Sequence, residues 1–188
     1  MLVILLKTLV NRVGIILVLA IFLSRIGLFR KLVSKQNMNM EYKLYLSIIF
    51  GILGIVGTYT GIPIRGAIAN FRVVGVFVGG LLGGPIVGIL SGIIAGGHRF
   101  LMDIGGFTSL ACSLSTLSEG FMAGLLKKKF ENSSYRFLFA LLAGFTAEIM
   151  QMIIILLVAK PFSDALELVK IIGIPMILAN GIVISLFI

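Results

Sequence analysis

The chain has 188 residues, 59% of them hydrophobic and only 12% charged, whereas water-soluble domains carry roughly 25% charged residues, so a soluble globular fold is excluded. The formal net charge is +9, but the 16 Lys and Arg fall in short clusters between apolar runs, as membrane topology signals do and nucleic-acid surfaces do not. One cysteine, Cys112, rules out an internal disulfide, and no Cys/His spacing suggests a metal site, so neither a metal nor a cofactor is expected.

The first apolar run, Leu2 to Ser24, is interrupted by Lys7 and Arg12 and followed by no small-residue cleavage site, so it reads as a retained helix and not a signal peptide. Arg25 to Lys43 is the longest non-apolar stretch and carries Arg25, Arg30, Lys31, Lys35 and Lys43. In the second run, Leu44 to Thr60, Gly51, Gly54 and Gly57 recur, followed by Gly61, at a spacing that lets helix backbones approach closely in lipid. A turn around Pro63 leads into Val73 to His98, whose middle holds Gly79, Gly80, Gly83, Gly84 and Pro85. Three more runs follow, Phe107 to Leu126, Phe137 to Ala159 and Ile171 to Ile188. Lys127, Lys128, Lys129 and Arg136 separate the first two, and a mixed loop with Asp164, Glu167 and Lys170 separates the last two. Runs near the ~20 residues that cross a ~30 Å hydrocarbon layer thus recur along the chain. The expected fold is all-α, a polytopic helical membrane protein of six to seven apolar segments. Its expected organisation is an N-terminal transmembrane helix over residues 1–28, a basic cytoplasmic linker over 29–43, and a membrane-embedded ligand-sensing core over 44–188.

Val73 to His98 has two readings. As one tilted helix it carries Gly80, Gly84, Gly88, Gly92 and Gly96 as a continuous packing stripe. As a hairpin it turns at Gly83-Gly84-Pro85, because proline removes a helical donor and disfavours helix in the residue before it. Its halves, roughly 18 and 21 Å long at 1.5 Å per residue, are then too short to cross, and such broken helices survive at membrane depth only under cover of protein, often at ligand sites. A single crossing puts the two basic clusters, Arg25 to Lys43 and Lys127 to Arg136, on opposite sides of the membrane, against the positive-inside rule. The hairpin puts both in the cytoplasm, with the N-terminus outside, and is the preferred reading.

Arg72 and Arg99 flank this hairpin, in Asn70-Phe71-Arg72 and Gly96-Gly97-His98-Arg99. By position alone they fit interface anchoring as well as ligand binding. In the hairpin they share one outer surface, where two guanidinium groups repel unless an anion lies between them, and a carboxylate suits the planar arginine fork. On the next run Cys112, Ser115 or Thr116, and Glu119 fall on one helical face. Small polar residues such as Ser115 and Thr116 usually serve helix packing there, and Cys112 by itself is a small buried apolar residue. Glu119, Glu148, Gln151 and Asn180 should face the bundle interior as helix-locking partners. His98 reads as an interface residue. No nucleophile, base and oxyanion set is present, and no phosphate-cradling loop.

Asn70-Phe71-Arg72, the Gly79 to Pro85 run, Gly97-His98-Arg99, Gly105-Gly106-Phe107-Thr108, Cys112 with Ser115, Glu119-Gly120, and Ala147-Glu148 through Gln151-Met152 together resemble the membrane sensor domain of LytS-type histidine kinases, a group that includes pyruvate receptors. The resemblance covers essentially the whole chain. It implies an input domain that precedes cytoplasmic signalling modules, and a carboxylate site, for pyruvate or a similar acid, on Arg72, Arg99, Cys112 and Ser115. Asn70, His98, Thr108, Thr116 and Glu119 are secondary candidates. The link through Met102-Asp103-Ile104 is two residues longer than the family pattern, which either reshapes the pocket or puts Asp103 beside it. A weaker resemblance, carried by the Gly-Pro break, the small-residue helix, the glycine-rich loop and the basic turn, points to the S components of energy-coupling-factor transporters and supplies the alternative function.

The chain is accordingly expected to be a multi-pass protein of the bacterial inner membrane without kinase activity of its own. The apolar run to Ile188 suggests a natural chain that continues into the cytoplasm. Expected partners are a small carboxylate, the bilayer, a second copy of the chain in a homodimer and, through the kinase, a LytTR-type response regulator.

Overall fold

A computed structural model describes residues 2–33 and 38–188. In chain order these form α1 (Leu2–Arg25), α2 (Gly27–Val33), α3 (Met40–Tyr59), a ribbon of β1 (Ile62–Ile64) and β2 (Ala67–Ala69), α4 (Arg72–Gly83), α5 (Pro85–Met102), α6 (Ser109–Glu131), α7 (Arg136–Val158) and α8 (Phe162–Phe187). Five of the helices, α3 and α5 to α8, are long and apolar enough to cross a membrane. Two shorter apolar helical stretches are α4 and Asn11–Leu23 within α1. Large apolar side chains such as Ile52, Ile93, Leu142, Leu157 and Ile174 are exposed on the outside of the bundle, which water does not tolerate on this scale and lipid does.

Local chemistry sets the element ends. Asn39 caps α3, its side chain accepting from the Tyr42 N–H at 3.1 Å, and Glu41 adds negative charge in the first turn. Gly84 separates α4 from α5 with φ 89° and ψ −173°, a region essentially closed to side-chain-bearing residues. Pro85 then starts α5 at a position that needs no N–H donor. Arg65 and Gly66, with φ of 49° and 74°, form the two-residue turn that pairs β1 with β2 antiparallel.

Val73 to His98 is a hairpin: a Cβ on Gly88 would lie 3.2 Å from the Gly80 Cα, although the two would be about 12 Å apart along a straight helix. The α4 arm, 12 residues long, is about 18 Å in length. All of it except Leu82 is buried, because α3, α5, α6 and α8 surround it, and this is why its sequence is apolar on every side. The second arm is longer than expected. It continues through Arg99 to Met102, and its 18 residues suffice to cross. The glycine stripe of α5 meets α6 backbone to backbone, Gly88 against Gly120, Gly92 against Leu117 and Gly96 against the Ser113 carbonyl.

Lys43, the Gly83-Gly84-Pro85 corner and Lys127 line one cavity of about 510 Å³, and the Lys127 ammonium donates to the Leu82 carbonyl at 2.6 Å. The start of α3, the hairpin corner and the end of α6 therefore share one face of the bundle, as the charge pattern requires. Lys35 lies outside the described residues. Three expectations are corrected. Lys127 to Lys129 belong to the last turns of α6 and not to a loop, where they offset the partial negative charge of the helix C-terminus. Asp164, Glu167 and Lys170 belong to α8, with Asp164 in its first turn. The polar stretch after Arg25 contains α2, and α3 begins at Met40, ahead of Leu44.

The shared basic face leads to a labelling prediction. With Cys112 replaced by serine, a membrane-impermeant thiol reagent added outside cells should modify Arg65→Cys, on the ribbon turn, and leave Lys128→Cys unmodified. The reverse pattern would invert the topology.

Candidate functional site

The site begins where the ribbon hands over to α4. Asn70, 2% exposed, accepts the Arg72 N–H at 3.0 Å and donates to the Ile68 carbonyl at 2.6 Å. Its own carbonyl accepts from the Asn180 amide of α8 at 3.1 Å. Asn70 thereby holds the first turn of α4 in place, and that turn carries Arg72.

Both arginines turn inward. Arg72 and Arg99 are 1% and 0% exposed, which corrects the expectation that they lie on the outer surface and removes their reading as interface anchors. The reason is packing: α4 is enclosed on all sides, and the last turns of α5 lie against α6 through Gly96. The Arg72 Nε donates to the Thr116 hydroxyl at 2.6 Å, and its Nη2 approaches the Cys112 carbonyl at 3.4 Å. The Arg99 Nη2 reaches the Thr108 hydroxyl at 3.4 Å and the Asp103 carboxylate at 3.3 Å. Thr108 and Cys112 are one turn apart, joined by the Cys112 N–H to Thr108 carbonyl bond of 2.8 Å. Both guanidinium groups therefore dock along one side of α6, Arg99 at its N-cap Thr108 and Arg72 on Cys112 and Thr116 in the next two turns.

The α6 face supplies their acceptors by a local device. The hydroxyls of Ser115 and Thr116 both donate back to the Cys112 carbonyl, at 3.0 and 2.7 Å, a pattern common for hydroxyl residues inside membrane helices. The Thr116 oxygen keeps a lone pair for Arg72. Thr116, a secondary candidate by sequence, is thus the direct arginine partner, while Ser115 is buried and bonds within its own helix. Cys112 is free and buried.

Three guanidinium nitrogens, Arg72 Nη1 and Arg99 Nε and Nη1, are buried with no hydrogen-bond partner among the described residues. Unpaired buried donors are rare and unfavourable, more so when charged. Arg72 also opens α4, where a cation opposes the helix dipole and an anion is favoured. Deeper in the bundle, Glu119 and Glu148 are fully buried and within electrostatic reach of Arg72. Glu148 accepts from the Asn180 amide at 2.6 Å, the helix lock expected from sequence, whereas both Glu119 oxygens lack a partner among the described residues.

His98 stands apart from this cluster. Its Nε2 is 3.3 Å from the Tyr59 hydroxyl, with the rings edge to face at 5.4 Å. Among the described residues no group of three or more His, Cys, Asp and Glu is placed to hold a metal. Sequence reasoning missed the Asn180 link to Asn70, and also Arg12, whose Nη1 donates to the carbonyls of Thr60 and Gly61 at 2.7 Å each. The signal that could have found Arg12 was an arginine inside an apolar run.

The family described as the 5TMR of 5TMR-LYT matches residues 26–188. The chain is 44% identical to Sensor protein LytS of Bacillus subtilis (strain 168) over 190 residues, covering 91% of this chain and 31% of that protein. It is 38% identical to Sensor histidine kinase BtsS of Escherichia coli (strain K12), covering 95% and 32%, and 35% identical to Sensor histidine kinase YpdA of the same organism, covering 90% and 30%. The chain therefore spans about a third of the length of these relatives. No solved structure matches it.

Proposed function

The chain belongs to the 5TMR family of membrane sensor domains found in LytS-type sensors, and from that premise we propose that it is the input domain of a histidine kinase that binds a small carboxylate, pyruvate first among the candidates. The observation that carries the reading is the pair of fully buried arginines, docked against the first turns of α6, with three nitrogens unpartnered among the described residues. A carboxylate satisfies such a set, since its two oxygens accept several charge-assisted bonds at once. On this reading Arg72 and Arg99 hold the carboxylate, while Cys112 and Ser115 flank its keto oxygen as weaker donors.

Binding of this kind has a direction. Without the anion three buried guanidinium nitrogens stay unpaired among the described residues, and with it the hairpin ends and α6 are drawn together. The resulting difference in affinity between a loose and a tight arrangement is what a signal requires. The Asn70 and Asn180 link extends it to α8, whose far end would pass it to the signalling modules. A homodimer, a LytTR-type response regulator as the kinase partner, and seven apolar segments completed by α4 and Asn11–Leu23 belong to the same proposal.

Calorimetry on the purified chain in lipid nanodiscs, with pyruvate, 2-oxobutyrate, lactate, acetate and phosphate, tests it. A ligand as small as pyruvate gains at most about 9 kcal/mol at ~1.5 kcal/mol per heavy atom, so saturable binding with Kd about micromolar at the tightest is expected. The absence of saturable heat with every acid in the panel would overturn the carboxylate reading. Among site variants, Thr116→Val should weaken pyruvate binding about tenfold, because it strips Arg72 of its closest acceptor, and Ser115→Ala only about two- to threefold. A larger loss from Ser115→Ala would reverse the assigned roles.

A further inference from the structure

Arg99 already holds a carboxylate that belongs to the chain itself. Asp103 sits at the C-cap of α5 with φ −151° and ψ 62°, and its side chain turns back to the guanidinium one helical turn earlier. The loop that follows favours this fold-back. The Gly106 N–H donates to the Asp103 carbonyl at 2.9 Å, and Gly105 takes φ 79° to close the turn. Gly106 leaves the room: a Cβ there would overlap Cγ, Oδ1 and Oδ2 of Asp103 together. Gly106 is not among the residues with positive φ, so its lack of a side chain is explained by the carboxylate lying over it and not by backbone strain.

The pair is lopsided. The Arg99 side chain is 1% exposed and that of Asp103 44%, so Asp103 is the edge at which the buried cluster meets solvent. Its contact is weak for two opposite charges. The separation is 3.3 Å, against about 2.7–2.9 Å for a good charge-assisted bond. Only Nη2 takes part, and Thr108 shares it.

Resting on the reading that Arg99 contacts the ligand, we propose that Asp103 is a tethered competitor for the Arg99 guanidinium, which an incoming carboxylate must displace and which sets the concentration at which the domain responds. Displacement swings Asp103 toward solvent and loosens the loop between Asp103 and Thr108, the one that starts α6. The competitor carries the same functional group as the ligand, so it holds the buried charge in the free state without closing the site to its occupant.

Calorimetric titration of the nanodisc-embedded chain with pyruvate reads this directly. Asp103→Asn removes the charge at constant volume, and Gly106→Ala evicts the carboxylate while leaving its charge. Each should tighten pyruvate binding about three- to fivefold, the scale of a partly exposed ion pair, and the double variant should gain no more than Asp103→Asn alone, because both changes remove one interaction. If the parent binds pyruvate and both single variants bind it equally or more weakly, Asp103 is no competitor and the arginine clamp stands without it. Should the parent itself show no pyruvate binding, the clamp fails and the competitor falls with it.

Discussion

Replacing Arg72 or Arg99 with lysine is expected to weaken pyruvate binding by at least tenfold, with the fold retained. Lysine preserves the positive charge, so a site that needed only charge would hardly notice. The geometry asks for more. Arg72 uses Nε on Thr116 and Nη2 on the Cys112 carbonyl, which leaves Nη1 for a ligand. Arg99 spends Nη2 on Thr108 and Asp103 and keeps Nε and Nη1. A planar fork anchors itself and presents donors in one fixed orientation, whereas a lysine ammonium is a compact point charge on a flexible stem. Charge-assisted hydrogen bonds contribute roughly 1.5–3 kcal/mol each, and losing one oriented donor therefore accounts for about tenfold or more. Calorimetry gives the affinity, and reaction of the buried Cys112 thiol with a fluorogenic reagent during heating reports whether the variant is folded. Lysine variants that unfold with the parent and bind pyruvate as tightly would remove the clamp.

The second large effect concerns the fold. Gly120→Val should destabilise the domain by more than about 3 kcal/mol, while Gly97→Ala should change stability by no more than about 1 kcal/mol, on the stabilising side. Gly120 and Gly88 face each other across α5 and α6, and a Cβ on Gly120 would fall on the Gly88 carbonyl. Both groups are backbone, so relief requires the helices to separate, which also shifts Thr116 and Cys112 relative to Arg72. A Cβ on Gly97, one turn before the end of α5, would meet nothing within 4 Å, and alanine there only gains helix propensity. The temperature at which Cys112 becomes reactive separates the two. An unchanged unfolding temperature for Gly120→Val would mean that the close crossing of α5 and α6 is not what holds the domain together.

Membrane residence, the apolar runs, the Gly84-Pro85 corner and the shared face of Lys43 and Lys127 were all legible in the sequence, because each follows from local chemistry: transfer into lipid, a missing donor, a glycine-only backbone, charge retention at one face. The order of the residues also carried the family, through motifs from Asn70 to Met152. The direction of Arg72 and Arg99 was not legible. A helix wheel places an arginine on a face but does not say whether lipid, water or another helix covers it, and here α4 is covered on every side. The same holds for Thr116 over Ser115. The two neighbours share one stretch of α6, and only the angle at which α4 crosses it decides that the Thr116 hydroxyl meets the guanidinium. The links from Asn180 to Asn70 and from Arg12 to the end of α3 span 110 and 48 residues. No local rule reaches so far. Local chemistry determines which segments enter the membrane, and tertiary packing alone chooses which polar groups are buried and their partners, since a buried donor bonds to whichever acceptor the neighbouring helix brings within reach.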